Sequence, residues 1–172
     1  MERMINRDGL MALYSYNAYA NGLLLDTVEK LTEEQFSRRC SPSHGSVRSL
    51  LLHMLECEAF FLAQCQGQRF ELEVASLPAL ADIRRQWRQL AEEQQGWITS
   101  LTHAGLTRQV RLELRGQELV FAVWELLLQA VVHSVHHRGE LSVVCTGLGY
   151  PLPTMDIILH FIKQRGQSWP FD

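Results

Sequence analysis

Two histidines one helical turn apart, His133 and His137, are the residues of this chain whose types and spacing best suit chemistry. Residues four apart on a helix lie on one face with Cβ atoms roughly 5 to 6 Å apart, so both imidazoles reach a single ion. His136 sits about 100° around the helix from His137. It shares a face with His133 at i, i+3 but does not easily join both, and reads as a neighbour of the site or an exposed residue. Because the chain holds seven histidines in 172 residues, the pair alone is a weak signal and needs a ligand from a second element. His53 is the natural candidate. It lies three residues after Leu50 and four before Cys57, at the edge of an apolar stripe, where a side chain looks across a helical bundle. Three neutral imidazoles leave a divalent ion its full charge and one vacant position. That position takes water or a thiol and lowers its pKa, which is the chemistry of hydrolysis or of thiol transfer.

The neighbours of these three divide between site and scaffold. Glu56, at i+3 from His53, is placed either to accept the second ring N–H or to face solvent. Cys57 shares a face with His53 and is a thiolate ligand or, the preferred reading, a small buried hydrophobe. Asn17 and Asn21 fall in the seam of the first helix, where they orient a ligand histidine, bind substrate or, again preferred, bond within the bundle.

The elements that must position these residues follow from hydrophobic period. Leu10, Tyr14, Asn17, Asn21, Leu24, Val28 and Leu31 make one stripe of a first amphipathic helix. Residues 38–45, with Pro42 and Gly45, break the pattern. Ser46 is the expected N-cap of a second helix that carries Val47, Leu50, Leu51, Met54, Cys57 and Phe61 and runs to about Gln66. A third helix reads from about Ala81 to Leu101, with Trp87 and Trp97 as core aromatics. The period then switches to two, and Val110, Leu112 and Leu114, the Arg115–Gly116 turn and Glu118 to Phe121 predict a short hairpin. A fourth helix runs from about Val123 to Thr146 with Trp124 in the core, and ends at Gly147-Leu148-Gly149. Beyond Pro151 and Pro153, Thr154 is the expected cap of a short last helix across one end of the bundle, followed by an apolar tail from Trp169 to Asp172. The fold expected is all-α, a four-helix bundle with a hairpin before the fourth helix and a short C-terminal helix, in a single domain over 1–172.

Composition excludes several classes. A net charge of -3 with no basic block gives no electrostatic reason to bind nucleic acid or an anionic membrane. Cys40, Cys57, Cys65 and Cys145 form no CxxC and are expected as free thiols in a reducing compartment. No apolar h-region follows Met1, and no run reaches the ~18 residues of a membrane span. The location expected is cytoplasmic.

Three blocks resemble the DinB/YfiT-like family of metal-dependent bacterial proteins. They are Tyr16-Asn17-Ala18-Tyr19-Ala20-Asn21, Gly45-Ser46-Val47-Arg48 through His53 to Glu58, and Val123-Trp124-Glu125-Leu126 followed by His133 and His136-His137-Arg138-Gly139-Glu140. The resemblance implies that His53, His133 and His137 bind a divalent ion, commonly zinc or nickel, in a bundle that often forms a homodimer. It also implies kinship with S-transferases that join a low-molecular-weight thiol to an electrophile. Glu140 departs from the pattern, standing where the family more often has Gln; it is a fourth ligand or a hydrogen-bonding neighbour.

Three readings follow. A metal-dependent thiol S-transferase or hydrolase requires an open position on the ion. A non-catalytic metal-binding or stress-response protein requires a sphere closed by protein, through Glu140 or Cys57. A homodimeric interaction module requires histidines that bind no metal. The enzyme reading leads.

Overall fold

The computed structural model describes residues 5–70 and 79–169; residues 1–4 and the end of the apolar tail, 170–172, lie outside them. Four long helices carry the fold: α1 (Arg7–Val28), then, after the short α2 (Glu33–Ser37), α3 (Val47–Gln66), α4 (Leu80–Ser100) and, after the short α5 (His103–Thr107) and the strands β1 (Gln109–Leu114) and β2 (Gln117–Ala122), α6 (Val123–Gly147). The final helix is α7 (Ile157–Gln164). No helix among the described residues is long and apolar enough to cross a membrane.

Local chemistry sets the boundaries. Asn6 caps α1 by accepting from the Gly9 amide, and Ser46 caps α3 by accepting from the Ser49 amide, each supplying an acceptor that the first turn lacks. α3 ends at Gly67 in the left-handed region (φ 71°), where a side chain would be strained. The sequence pattern passes over α2, a single turn closed by a Thr32–Gln35 capping box. It likewise passes over α5, capped by Thr102. Both are too short for a period to register. Leu31 lies past the end of α1 and packs on the core from the following turn. The expected Thr154 cap is not realised: Asp156 holds the N-cap position without a side-chain bond. α7 does not close an end of the bundle but rests on the flank of α1, where Ser15 Oγ and His160 Nε2 are 3.1 Å apart and Tyr16 donates to the Met155 carbonyl.

The hairpin is antiparallel, with Val110 opposite Phe121 and Leu112 opposite Leu119. Its turn residues Arg115 and Gly116 both have positive φ (52° and 78°), as a two-residue turn that follows the strand twist demands. Val110 and Leu112 turn into the core while Val120 stays 47% exposed.

The bundle packs in the cyclic order α1, α4, α3, α6. Its interior is two apolar cores. One gathers Leu24, Val28, Leu50, Leu51, Ile83, Trp87 and Leu141; the other gathers Leu10, Tyr14, Cys65, Ile98, Leu126 and Leu127. The first core takes the C-terminal halves of α1 and α6 and the N-terminal halves of α3 and α4, so α1 and α6 run one way and α3 and α4 the other. Between the cores lies a polar layer: Asn17, Asn21, Glu58, Gln94, Ser134 and Arg138, none more than 4% exposed.

Candidate metal centre

The α3–α6 contact brings His53 to His133 and His137. His53 Nε2 is 3.2 Å from His133 Nε2, and His137 Nε2 is 3.1 Å from the same atom. The His53 and His137 rings are nearly perpendicular, with centroids 4.9 Å apart. Nitrogens held about 2.0 to 2.1 Å from a tetrahedral ion sit about 3.3 Å from each other, and both approaches to His133 Nε2 have that spacing. The i, i+4 pair and its partner on the second long helix therefore meet as the sequence anticipates.

The imidazoles are held in the neutral form that can donate a lone pair. Burial, then the charges of neighbouring imidazoles, lowers His53 and His133 to about 4. His137 is lowered as well, by burial first and then by His136 and His44, against an upward pull from Glu140. His133 Nδ1 and His137 Nδ1 are buried with no hydrogen-bond partner among the described residues. His137 is 5% exposed, whereas His53 and His133 are only half-buried, leaving the cluster a solvent-facing side.

His44 is the residue the sequence reading misses. It lies in the loop that reads only as a break, and its ring stacks on that of His53 at 3.9 Å. Candidate ligand atoms of His44, His53 and His137 all lie within 4.8 Å of one another, as do those of His53, Cys57 and His133. Glu140 explains how the loop is held. Its carboxylate accepts from Ser41 Oγ at 2.5 Å, from Ser43 Oγ at 2.6 Å and from the Ser43 amide at 3.2 Å. Although desolvation opposes the charge, these bonds hold the carboxyl down at about 2. Glu140 Oε2 stays 3.8 Å from His137 Nδ1, so it serves as a tether beside the cluster. The Ser43 hydroxyl gives its one hydrogen to Glu140 and therefore accepts from His44 Nδ1–H at 2.7 Å, which leaves His44 Nε2 with its lone pair free.

The other expected neighbours sort plainly. Cys57 Sγ lies 3.7 Å from His53 Nδ1, and burial pushes its thiol up to about 11. Glu56 is half-exposed and makes no hydrogen bond to His53 among the described residues. His136 is exposed, its ring centroid 4.9 Å from that of His137. Asn17 and Asn21 do not reach the histidines; they belong to the polar layer. Their amide nitrogens donate to Glu58 Oε1 at 2.9 and 3.1 Å, Ser134 Oγ donates to the same oxygen at 2.6 Å, and Arg138 Nη1 donates to both asparagine oxygens at 2.6 Å. Glu58 and Arg138 thus form a buried ion pair bridged by two amides, and Ser134 and Arg138 each follow a cluster histidine by one residue. The signal for them is present in the sequence: Glu58 continues the Leu51, Leu55, Leu62 stripe, and Arg138 continues Val131, Ser134, Leu141 and Cys145.

A four-helix bundle with clustered histidines on facing helices is an architecture in which metal sites are built. The DinB family profile matches residues 1–166, and the chain belongs to the DinB family. Solved structures agree on the fold. YfiT from Bacillus subtilis, described as a probable metal-dependent hydrolase with an unusual four-helix bundle topology, is 14% identical over 87% of this chain and 93% of its own, with a TM-score of 0.68. A DinB-like protein from Bacillus cereus is 21% identical over 90% of this chain and 99% of its own (TM-score 0.65). A second DinB-like protein from Bacillus subtilis is 20% identical over 84% and 97% (TM-score 0.63). No curated protein sequence matches the chain.

Proposed function

We propose that this protein is a divalent-metal-dependent enzyme of the hydrolase or thiol S-transferase kind, with His53, His133 and His137 holding zinc or nickel. The observation that carries the reading is the approach of His53 Nε2 and His137 Nε2 to His133 Nε2, at 3.2 and 3.1 Å. The description of YfiT as a probable metal-dependent hydrolase is consistent with it. A divalent cation on this donor set supplies Lewis acidity and lowers the pKa of a water or low-molecular-weight thiol at its open position. The chain's own part is to hold three uncharged imidazoles and to present His44 Nε2 as a proton acceptor. Ser43 and Glu140 fix that tautomer and keep the ring over His53. The substrate would be a small electrophile, and the scattered free thiols suit a reducing, cytoplasmic setting. Homodimer formation belongs to the same reading.

A second reading rests on the nearness of His44: with its Nε2 as a fourth ligand, the sphere closes and the site becomes structural or regulatory. One experiment tests both. Elemental mass spectrometry of tag-free protein purified without added metal should find about one equivalent of zinc or nickel, lost in His137→Ala. His44→Ala should keep the metal if the sphere is open and lose much of it if His44 closes the sphere. Metal in neither the native chain nor a metal-titrated sample would refute both readings.

A further inference from the structure

Cys57 follows His53 by one turn of α3, which puts the two side chains on one face of the helix. Its Sγ is 3.7 Å from His53 Nε2, the atom that also stands 3.2 Å from His133 Nε2, and ligand atoms of the three residues all lie within 4.8 Å of one another. Around a tetrahedral ion, with bonds of about 2.0 to 2.1 Å to nitrogen and about 2.3 Å to sulfur, two nitrogens sit about 3.3 Å apart and a nitrogen and a sulfur about 3.6 Å apart. Both separations at His53 Nε2 match those values. All three residues are half-buried, so an ion reaches them from solvent. Among the described residues no other cysteine stands in a group with two histidines: Cys65 and Cys145 are buried in the apolar cores, and Cys40 packs against the first of them.

We propose that His53, Cys57 and His133 form a second donor set of the same centre, one that takes a thiophilic cation such as Cu(I) or Cd(II) in place of zinc or nickel. It shares two histidines with the site proposed above, and to that extent rests on the same reading, but it does not require His137. Thiolate is the soft ligand that selects such ions, whereas imidazole also suits zinc and nickel. As the ion binds, the Cys57 S–H bond gives way to a metal–sulfur bond and the proton goes to solvent. Because His53 and His133 serve both sets, the centre holds one ion at a time, and a thiophilic ion displaces the one held by the three imidazoles.

Cadmium chloride titrated into the full-length protein, stripped of metal by chelator, reads the sulfur bond directly through the ultraviolet thiolate-to-cadmium charge-transfer band. The expected result is a band that saturates at one equivalent, is lost in Cys57→Ser and persists in Cys40→Ser, with circular dichroism unchanged in each. His137→Ala should keep the band although it no longer holds zinc, and Cys57→Ser should still hold zinc by elemental mass spectrometry. The two readings therefore fail separately: a zinc titration without binding refutes the three-imidazole site, whereas the cadmium band tests the sulfur set. Absence of the band in the native protein, its survival in Cys57→Ser, or its loss in His137→Ala overturns the proposal.

Discussion

Replacing Arg138 with Met tests whether the polar layer is held as an ion pair. Arg138 is 2% exposed and its Nη1 bonds Asn17 and Asn21, while Glu58, 1% exposed, takes the other ends of those amides. The variant keeps the volume but leaves a buried carboxylate without its counter-charge, which costs about 3 to 5 kcal/mol. For a domain of this size that is a fall of about 6 to 20 °C in Tm and a large part of a total stability of about 5 to 15 kcal/mol. Glu58→Gln should also destabilise, because it strands the guanidinium. The double variant Glu58→Gln/Arg138→Met removes both charges and should be less unstable than the sum of the singles by about 1 to 3 kcal/mol. The assay is urea unfolding followed by circular dichroism at matched metal content, since bound metal adds its own stabilisation. Additivity of the two singles within about 0.5 kcal/mol would refute the amide-bridged pair.

Metal-free protein should lose stability as pH falls from about 6.5 to about 4. In the fold His53 and His133 bind their protons only near 4, while the unfolded chain binds them near 6.5, so acid favours unfolding in that window. Thermal scans in chelator at pH 7.5 and 5 check the sign, and a higher Tm at pH 5 would contradict it. Glu140→Ala should cost about 2 kcal/mol by freeing the Ser41–Ser43 loop and should lower metal-dependent activity more than metal content, because His44 loses its tether. Cys57→Ser should keep zinc or nickel, since the proposed ligands of those ions are the three imidazoles and Cys57 Sγ stands beside the His53 ring at 3.7 Å, and elemental analysis decides it. Arg115→Asn should raise Tm by about 1 to 2 °C, because asparagine tolerates the positive φ of that turn better than arginine does.

The four long helices and the hairpin were legible because each spans several periods of its pattern, and the cap at Ser46 because its acceptor chemistry is local. His133, His137 and His53 were legible for a related reason: a helix converts spacing into a shared face, and facing faces must meet. His44 obeys no such rule. Its place over His53 depends on the turn at Gly45 (φ 85°) and on Glu140, ninety-six residues further on by the numbering, reaching back to Ser41 and Ser43. Tertiary hydrogen bonds of that separation leave no periodic trace. The polar layer is the instructive case between these limits. Glu58 and Arg138 occupy inward stripe positions, so their burial follows from register alone; that they pair, through Asn17 and Asn21, follows only once the directions of α1, α3 and α6 are known. A charge in an apolar stripe must find its counterpart on a facing helix at the same level, or the bundle would carry an unpaired buried ion. The same layer divides the interior into two cores, and Ser134 and Arg138 each follow a cluster histidine by one residue, so the side chains that set the register of α6 also set the level of the histidines.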